Sequence, residues 1–184
     1  YTPLELHGRD LYVREGCHNC HSQMVRPFRS EVERYGDYSK AGETVYDHPF
    51  QFGSKRTGPD LARAGVAGSL VHKPNSWHLT HFDDPQKLIP QSIMPPYPWL
   101  LTRDLDISTT ARKIRVMQTL GVPYPEGYDL IANDELMKQA AQIAGALRRE
   151  GFDIEDTREV IAMIAYIQRL GFDISQNKNL SSTP

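Results

Sequence analysis

Cys17-His18-Asn19-Cys20-His21 places two thiols and an imidazole within one short run. The spacing C-x-x-C-H is the attachment signature of a c-type haem. Cysteines three residues apart lie on one face of a helical turn, from which both sulfurs can form thioether bonds to the two vinyl groups of one porphyrin. His21 follows at once, so its imidazole is delivered under the iron as the proximal ligand. A bare C-x-x-C also suits a disulfide, a thioredoxin-like redox pair or half of a zinc site. Zinc would need further ligands, and no second C-x-x-C is present. The βαβ pattern that surrounds a thioredoxin-like motif is missing as well. One covalently bound haem c is therefore expected, with Cys17 and Cys20 as its anchors.

The second axial position decides what such an iron can do. An open site suits ligand binding or peroxidase chemistry, whereas a filled one suits electron transfer. Met94 is the candidate, in Ser92-Ile93-Met94-Pro95-Pro96-Tyr97-Pro98-Trp99. A thioether is soft, favours ferrous haem and raises the reduction potential. Prolines at 90, 95, 96 and 98 stiffen the loop that presents it. Met117, Met137 and Met163 fall on helical stripes and read as core filler, and Met24 stands too close to His21 to cross to the other haem face. His72, His78 and His81 are rivals for a bis-histidine site. His78 and His81, at i and i+3, also have the spacing for zinc, but a solvated face or a propionate contact explains them as well. Tyr97 and Trp99 read either as pocket lining or as ordinary packing.

The elements that must position these groups are helical. Thr2-Pro3-Leu4-Glu5 is a capping box with proline at the first helical position, and Gly16 ends the helix that follows, just before the cysteines. Gly8 and Tyr12 share a face of that helix, and Gly8 leaves room for a second helix. Asp156-Thr157-Arg158-Glu159 is a second start signal, followed by a stripe of Val160, Ile161, Ile164 and Ile167 and a stop at Gly171. Asn75–Phe82, Thr109–Leu120 and Asp134–Arg149 read as three more helices. Residues 22–57 read as an extended loop insertion and 86–100 as irregular. The expectation is a single all-α domain over 1–184, with a helical insertion at 101–150.

The chain has 184 residues, 39% of them hydrophobic, with thirteen prolines and thirteen glycines. That is a lean core, which a buried porphyrin would supplement. Net charge is −2 and the signs are mixed along the chain, without the basic run that nucleic-acid binding requires. The longest apolar run, Val160 to Ile167, falls well short of the roughly 18 residues of a membrane helix. Haem is normally attached covalently outside the cytoplasm, so a periplasmic location is expected. The sequence begins at Tyr1 without a signal peptide, and a chain processed or truncated at its N-terminus is expected.

A first and last helix crossing at a glycine–aromatic contact resembles the class I cytochrome c fold. Gly58-Pro59-Asp60-Leu61 resembles the G-P-x-L turn that follows the haem motif in that class, although Gly-Pro alone is merely a turn. The resemblance implies that the Pro59 carbonyl accepts a hydrogen bond from His21 and fixes its ring. More specific runs are Gly8-Arg9-Asp10-Leu11-Tyr12, Ser22-Gln23-Met24-Val25-Arg26-Pro27-Phe28-Arg29, Glu33-Arg34-Tyr35-Gly36 and Tyr46-Asp47-His48-Pro49-Phe50. They continue through Gly53-Ser54-Lys55-Arg56-Thr57-Gly58-Pro59, Trp77-His78, Met94-Pro95, Leu120-Gly121-Val122-Pro123-Tyr124 and Ala165-Tyr166-Ile167-Gln168-Arg169-Leu170-Gly171. Together they resemble the mono-haem cytochrome c subunit (subunit II) of C-family, cbb-type haem–copper cytochrome c oxidases.

That resemblance implies a relay of single electrons in a respiratory terminal oxidase. The donor would be a multi-haem cytochrome c subunit, and the acceptor the integral-membrane subunit that reduces oxygen. It implies His21 and Met94 as iron ligands, and a role for residues 23–63 in the haem surroundings and the subunit contact. Family members carry an N-terminal membrane anchor that this sequence lacks, so a periplasmic domain separated from its anchor is expected. No small-molecule substrate and no catalytic side chain is implied. Arg26, Arg29, Lys55, Arg56 and Arg63 suit haem propionates, because arginine grips a carboxylate bidentately, but they also suit a solvated basic loop. The alternative reading of the whole chain is a free-standing soluble electron carrier of the periplasm.

Overall fold

The computed structural model describes residues 1–173. The final residues of the expected domain, 174–184, lie outside the described part. Among the described residues seven α-helices form and no strand. They are α1 (Pro3–Arg14), α2 (Arg29–Tyr35), α3 (Asn75–Asp83), α4 (Trp99–Thr102), α5 (Thr110–Thr119), α6 (Tyr128–Arg149) and α7 (Glu159–Arg169). The all-α class expected of a cytochrome c-like fold is what these residues adopt.

Two compact units emerge, one made of 1–11 and 74–166, the other of 12–73 and the residues from 167 onward. Helices α1 and α7 each contribute to both.

In the first unit the capping box of α1 forms as its sequence dictates. The Glu5 carboxylate accepts from the Thr2 N–H at 2.8 Å, and Thr2 Oγ1 accepts from the Glu5 N–H at 3.3 Å. Gly8 meets α7 so closely that a Cβ there would lie 2.0 Å from the Ala162 carbonyl oxygen and 2.7 Å from Tyr166 Cβ. The glycine–aromatic crossing expected of the first and last helices is therefore present. Leu6, Ile114, Met117, Val122 and Ala132 form an apolar cluster edged by Tyr1, Tyr124 and Tyr128.

Helix α6 begins six residues earlier than its sequence suggests, directly after Gly127 at φ 73°. Its buried stripe is Ala132, Leu136, Ala140, Ala144 and Leu147. Leu130, at 81% exposure, breaks the apolar periodicity of the first turn and hides the true start.

In the second unit, the stretch 22–57 is not loop throughout, because α2 lies inside it. A seven-residue helix gives little periodic signal, and here the buried positions are Glu31 and Tyr35. A charged residue occupies the inward face, so apolar spacing could not reveal it. A small apolar cluster of Val25, Tyr35 and Ala62, with Val71 against it, forms around α2. The end of α7 closes on the turn at 62–65: the Gly65 N–H donates to the Leu170 carbonyl at 2.9 Å. A Cβ at Gly65 would stand 1.9 Å from the Gln168 carbonyl oxygen.

Candidate functional site

The motif opens where α1 stops. Gly16 takes φ 71°, a left-handed turn that glycine adopts at little cost, and a 3-10 turn follows over Cys17–Asn19. Both the Cys20 and the His21 N–H donate back to the Cys17 carbonyl, at 3.1 and 2.9 Å. The turn therefore gathers Cys17, Cys20 and His21 in one place. Neither cysteine is in a disulfide; Cys17 is half-buried and Cys20 exposed. Burial, reinforced by Glu15, pushes the Cys17 thiol up to about 12.

His21 is fixed from behind. Its Nδ1 lies 2.8 Å from the Pro59 carbonyl oxygen. A carbonyl can only accept, so Nδ1 carries the proton and Nε2 keeps its lone pair for a metal. Burial lowers the pKa of His21, which holds the imidazole neutral, the form in which it can ligate. Gly58 forms the wall beside the ring: a Cβ would come within 2.2 Å of His21 Cε1 and 2.8 Å of Nε2. The Gly58 N–H donates to the Cys20 carbonyl at 3.0 Å, and the Leu61 N–H to the Ser22 carbonyl at 2.8 Å. The turn 58–61 is thereby laced to the chain on both sides of the imidazole. These residues fit a haem c: two thiols at thioether spacing, and a neutral, carbonyl-oriented imidazole with glycine against its face.

Behind this strap lies a charge network. Asp60, fully buried, accepts from Ser22 Oγ at 2.6 Å, from the Met24 N–H at 2.9 Å and from the Ala62 N–H at 2.8 Å. Arg56 donates through Nε to Ser22 Oγ at 2.7 Å and through Nη2 to the Met24 carbonyl at 2.8 Å. Its Nη1 and Nη2 each reach Glu31 at 2.7 Å. Arg26 also contacts Glu31, through Nε and through its backbone N–H. The hydrogen bond from Arg56, followed by those from Arg26, holds the Glu31 carboxyl down at about 2.

The other arginines face protein groups too. Arg29 pairs with Glu33 at 2.6 Å on the outer face of α2. Arg63, nearly fully buried, donates to Glu43 at 2.6 Å and to the Asp37 carbonyl at 2.7 Å. Glu31, Glu43 and Asp60 were not singled out by sequence reasoning. The only signal for Asp60 was its place directly after Pro59.

Met94 and Trp99 belong to the first unit. The Met94 N–H donates to Ser92 Oγ at 3.2 Å, the Ser92 carbonyl accepts from Gln86 Nε2 at 3.2 Å, and the Tyr97 N–H donates to the Phe82 carbonyl at 2.7 Å. The proline-studded loop is thus tied to α3, and Met94 is half-buried within it. Trp99 opens α4 with its ring 5.3 Å from that of Tyr97.

The rival histidines have other surroundings. His72 Nδ1 donates to the Ala64 carbonyl at 2.8 Å. His78 packs against Trp77 and Phe82, and His81 stacks on Trp77 at 4.3 Å. Among the described residues no group of three or more His, Cys, Asp or Glu side chains is placed to hold a metal ion.

An all-helical chain with C-x-x-C-H and a carbonyl-fixed imidazole defines a cytochrome c-like protein. Residues 1–174 match the family model described as cytochrome c oxidase, mono-heme subunit/FixO, so the chain belongs to that family. Membership makes it a subunit of an oxidase complex, with one haem and a part in electron transfer. No curated protein matches the sequence significantly.

Proposed function

We propose that this subunit relays single electrons within a cbb-type oxidase through one covalently attached haem c. Cys17 and Cys20 would anchor the porphyrin, and His21 Nε2 and the Met94 sulfur would hold its iron. When bound, the haem supplies a ferric/ferrous couple. The chain's own residues keep that couple's surroundings constant. Pro59 holds the His21 proton on Nδ1, Gly58 admits the ring, and the Asp60–Arg56–Glu31 network holds the strap that carries the Pro59 carbonyl. The Met94 loop, stiffened by its prolines and tied by its bonds to Ser92 and α3, would hold its thioether steady. No side chain acts as acid, base or nucleophile.

The observation that carries this reading is the 2.8 Å bond from His21 Nδ1 to Pro59, which places the proton on Nδ1 and leaves the lone pair on Nε2. The donor would be a multi-haem cytochrome c subunit and the acceptor an integral-membrane subunit that reduces oxygen. The domain would work in the periplasm, tethered to the inner membrane. Among the described residues no helix is long and apolar enough to cross a membrane.

A visible spectrum of the oxidised protein tests the ligand pair. A sulfur-to-iron charge-transfer band near the red edge is expected, and its absence removes Met94 from the iron. Recovery of the subunit with oxidase activity in detergent extracts tests the relay, which fails if membranes lacking this chain reduce oxygen from the donor at an unchanged rate.

A further inference from the structure

An open cleft of about 520 Å³ lies wholly within the second unit, between α2 and the strap at 56–59. Arg26, Arg34 and Arg56 line it together with the hydroxyl-bearing Ser30, Tyr35 and Thr57, and Glu31 is the acidic side chain in its wall. The charges do not cancel. Arg56 is fully occupied by Glu31, Asp60, Ser22 and the Met24 carbonyl. Arg26 spends its Nε on Glu31 and leaves its terminal nitrogens at a side chain half exposed. Among the described residues no carboxylate pairs with Arg34, whose guanidinium instead lies 5.4 Å from the Tyr35 ring centre. Three cations thus face two carboxylates, Glu31 and Asp60, and the excess sits at the mouth on Arg34.

The rim is apolar as well as basic. Arg26 Cζ stands 5.3 Å from the ring of Phe28, which is 56% exposed. Exposed arginine beside an exposed aromatic is the composition of a protein contact surface.

We infer that this cleft is a docking site for a single acidic side chain, aspartate or glutamate, of a partner subunit, gripped by Arg34 and the free end of Arg26. An arginine fork matches a carboxylate bidentately, and the cleft hydroxyls supply further donors. One uncompensated guanidinium suits one carboxylate. A polyanion would need several uncompensated cations in a row, and the cleft offers Arg34 and one free end of Arg26. The openness of the cleft and its aromatic rim suit a side chain carried on a protein surface over a free small anion. Gly58 and Pro59 at the back of the cleft also hold the His21 ring, but the gripping groups, Arg26 and Arg34, are not among the proposed haem anchors and iron ligands.

The test titrates the whole haem-loaded chain with the peptide acetyl-Ala-Glu-Ala-amide, which carries one carboxylate, and separately with inorganic phosphate, at about 0.02 M and about 0.3 M salt. Amide resonances of Ser30, Arg34 and Thr57 report binding. The peptide should shift all three saturably at low salt. Arg34→Glu should raise its Kd by about tenfold or more, whereas Arg34→Lys should change it by no more than about threefold. An unchanged Kd in Arg34→Glu overturns the site. Phosphate binding as tightly as the peptide overturns the side-chain occupant in favour of a free anion. The visible spectrum reports the haem ligands independently, so a wild-type spectrum without the sulfur-to-iron band would count against the Met94 assignment and not against the cleft.

Discussion

His21 Nδ1 donates to the carbonyl oxygen of Pro59 at 2.8 Å, across a sequence separation of 38. One hydrogen bond thereby selects the tautomer, sets the ring plane and leaves Nε2 as the only ligating nitrogen. Other features of the second unit act on that bond: the glycine beside the ring, the buried aspartate after the proline, and the arginine that ties the strap to α2.

Gly58→Ala tests the wall. The added methyl would lie 2.2 Å from Cε1 of His21, and the ring and the strap cannot both stay in place. A loss of about 1–3 kcal/mol in stability is expected from overpacking. A shifted or broadened haem spectrum should accompany it. A variant with unchanged denaturant midpoint and spectrum would show that the strap stands further from the imidazole.

Asp60→Ala removes the acceptor for Ser22 Oγ and for the Met24 and Ala62 N–H groups, and leaves Arg56 short of a partner. Breaking a buried, hydrogen-bonded charge pair costs about 3–5 kcal/mol. Chemical denaturation followed by far-ultraviolet dichroism should show the midpoint falling accordingly. A change below about 1 kcal/mol would mean that water replaces the carboxylate without penalty.

Much of this was legible in the sequence, for physical reasons that differ from element to element. The start of α1 rests on a local capping box, and local chemistry is readable: Thr2 and Glu5 bond as their spacing dictates. C-x-x-C-H and Gly-Pro are equally local. The close approach at Gly8 could be anticipated because a missing side chain on a helix face invites a neighbour. Helix α2 was hidden because one of its two buried positions is Glu31, an ion whose partners Arg26 and Arg56 come from before and well after it in the chain. The same applies to Asp60 and Arg63. Charge pairs closed over tens of residues leave no periodic trace, so the arginines were visible in the sequence while the carboxylates that hold them were not.

Met94→Ala addresses the proposed second axial ligand. Loss of the thioether should lower the reduction potential and leave a position that binds carbon monoxide in the reduced protein. Redox titration and a carbon monoxide difference spectrum read both effects. Retention of the wild-type potential with no carbon monoxide adduct would assign the ligand to another residue.

Acid stability should reflect His7. It is buried in the first unit, with Nε2 3.0 Å from Thr110 Oγ1 and Nδ1 3.0 Å from Lys113 Nζ. Burial, then the Lys113 charge, lowers its pKa from 6.5 to about 4, against opposing pulls from Asp10 and Asp106. The unfolded chain therefore binds a proton first. Stability is full above pH 6.5, falls as pH drops from 6.5 to 4, and levels off below. The loss across that window is about 3 kcal/mol. Denaturant midpoints measured against pH should show it, and His7→Gln should flatten the slope. Glu31 adds a second fall, from 4.5 down to about 2, as its protonation releases Arg56 and Arg26. An unaltered slope in His7→Gln would relocate the titrating group.

The most direct measurement is extraction of the denatured protein with acidified acetone, followed by the mass of the remaining polypeptide. Covalent attachment at Cys17 and Cys20 predicts that the pigment stays with the protein and that the mass exceeds the sequence mass by one haem. Pigment released into the solvent, with both thiols recovered free, would contradict it.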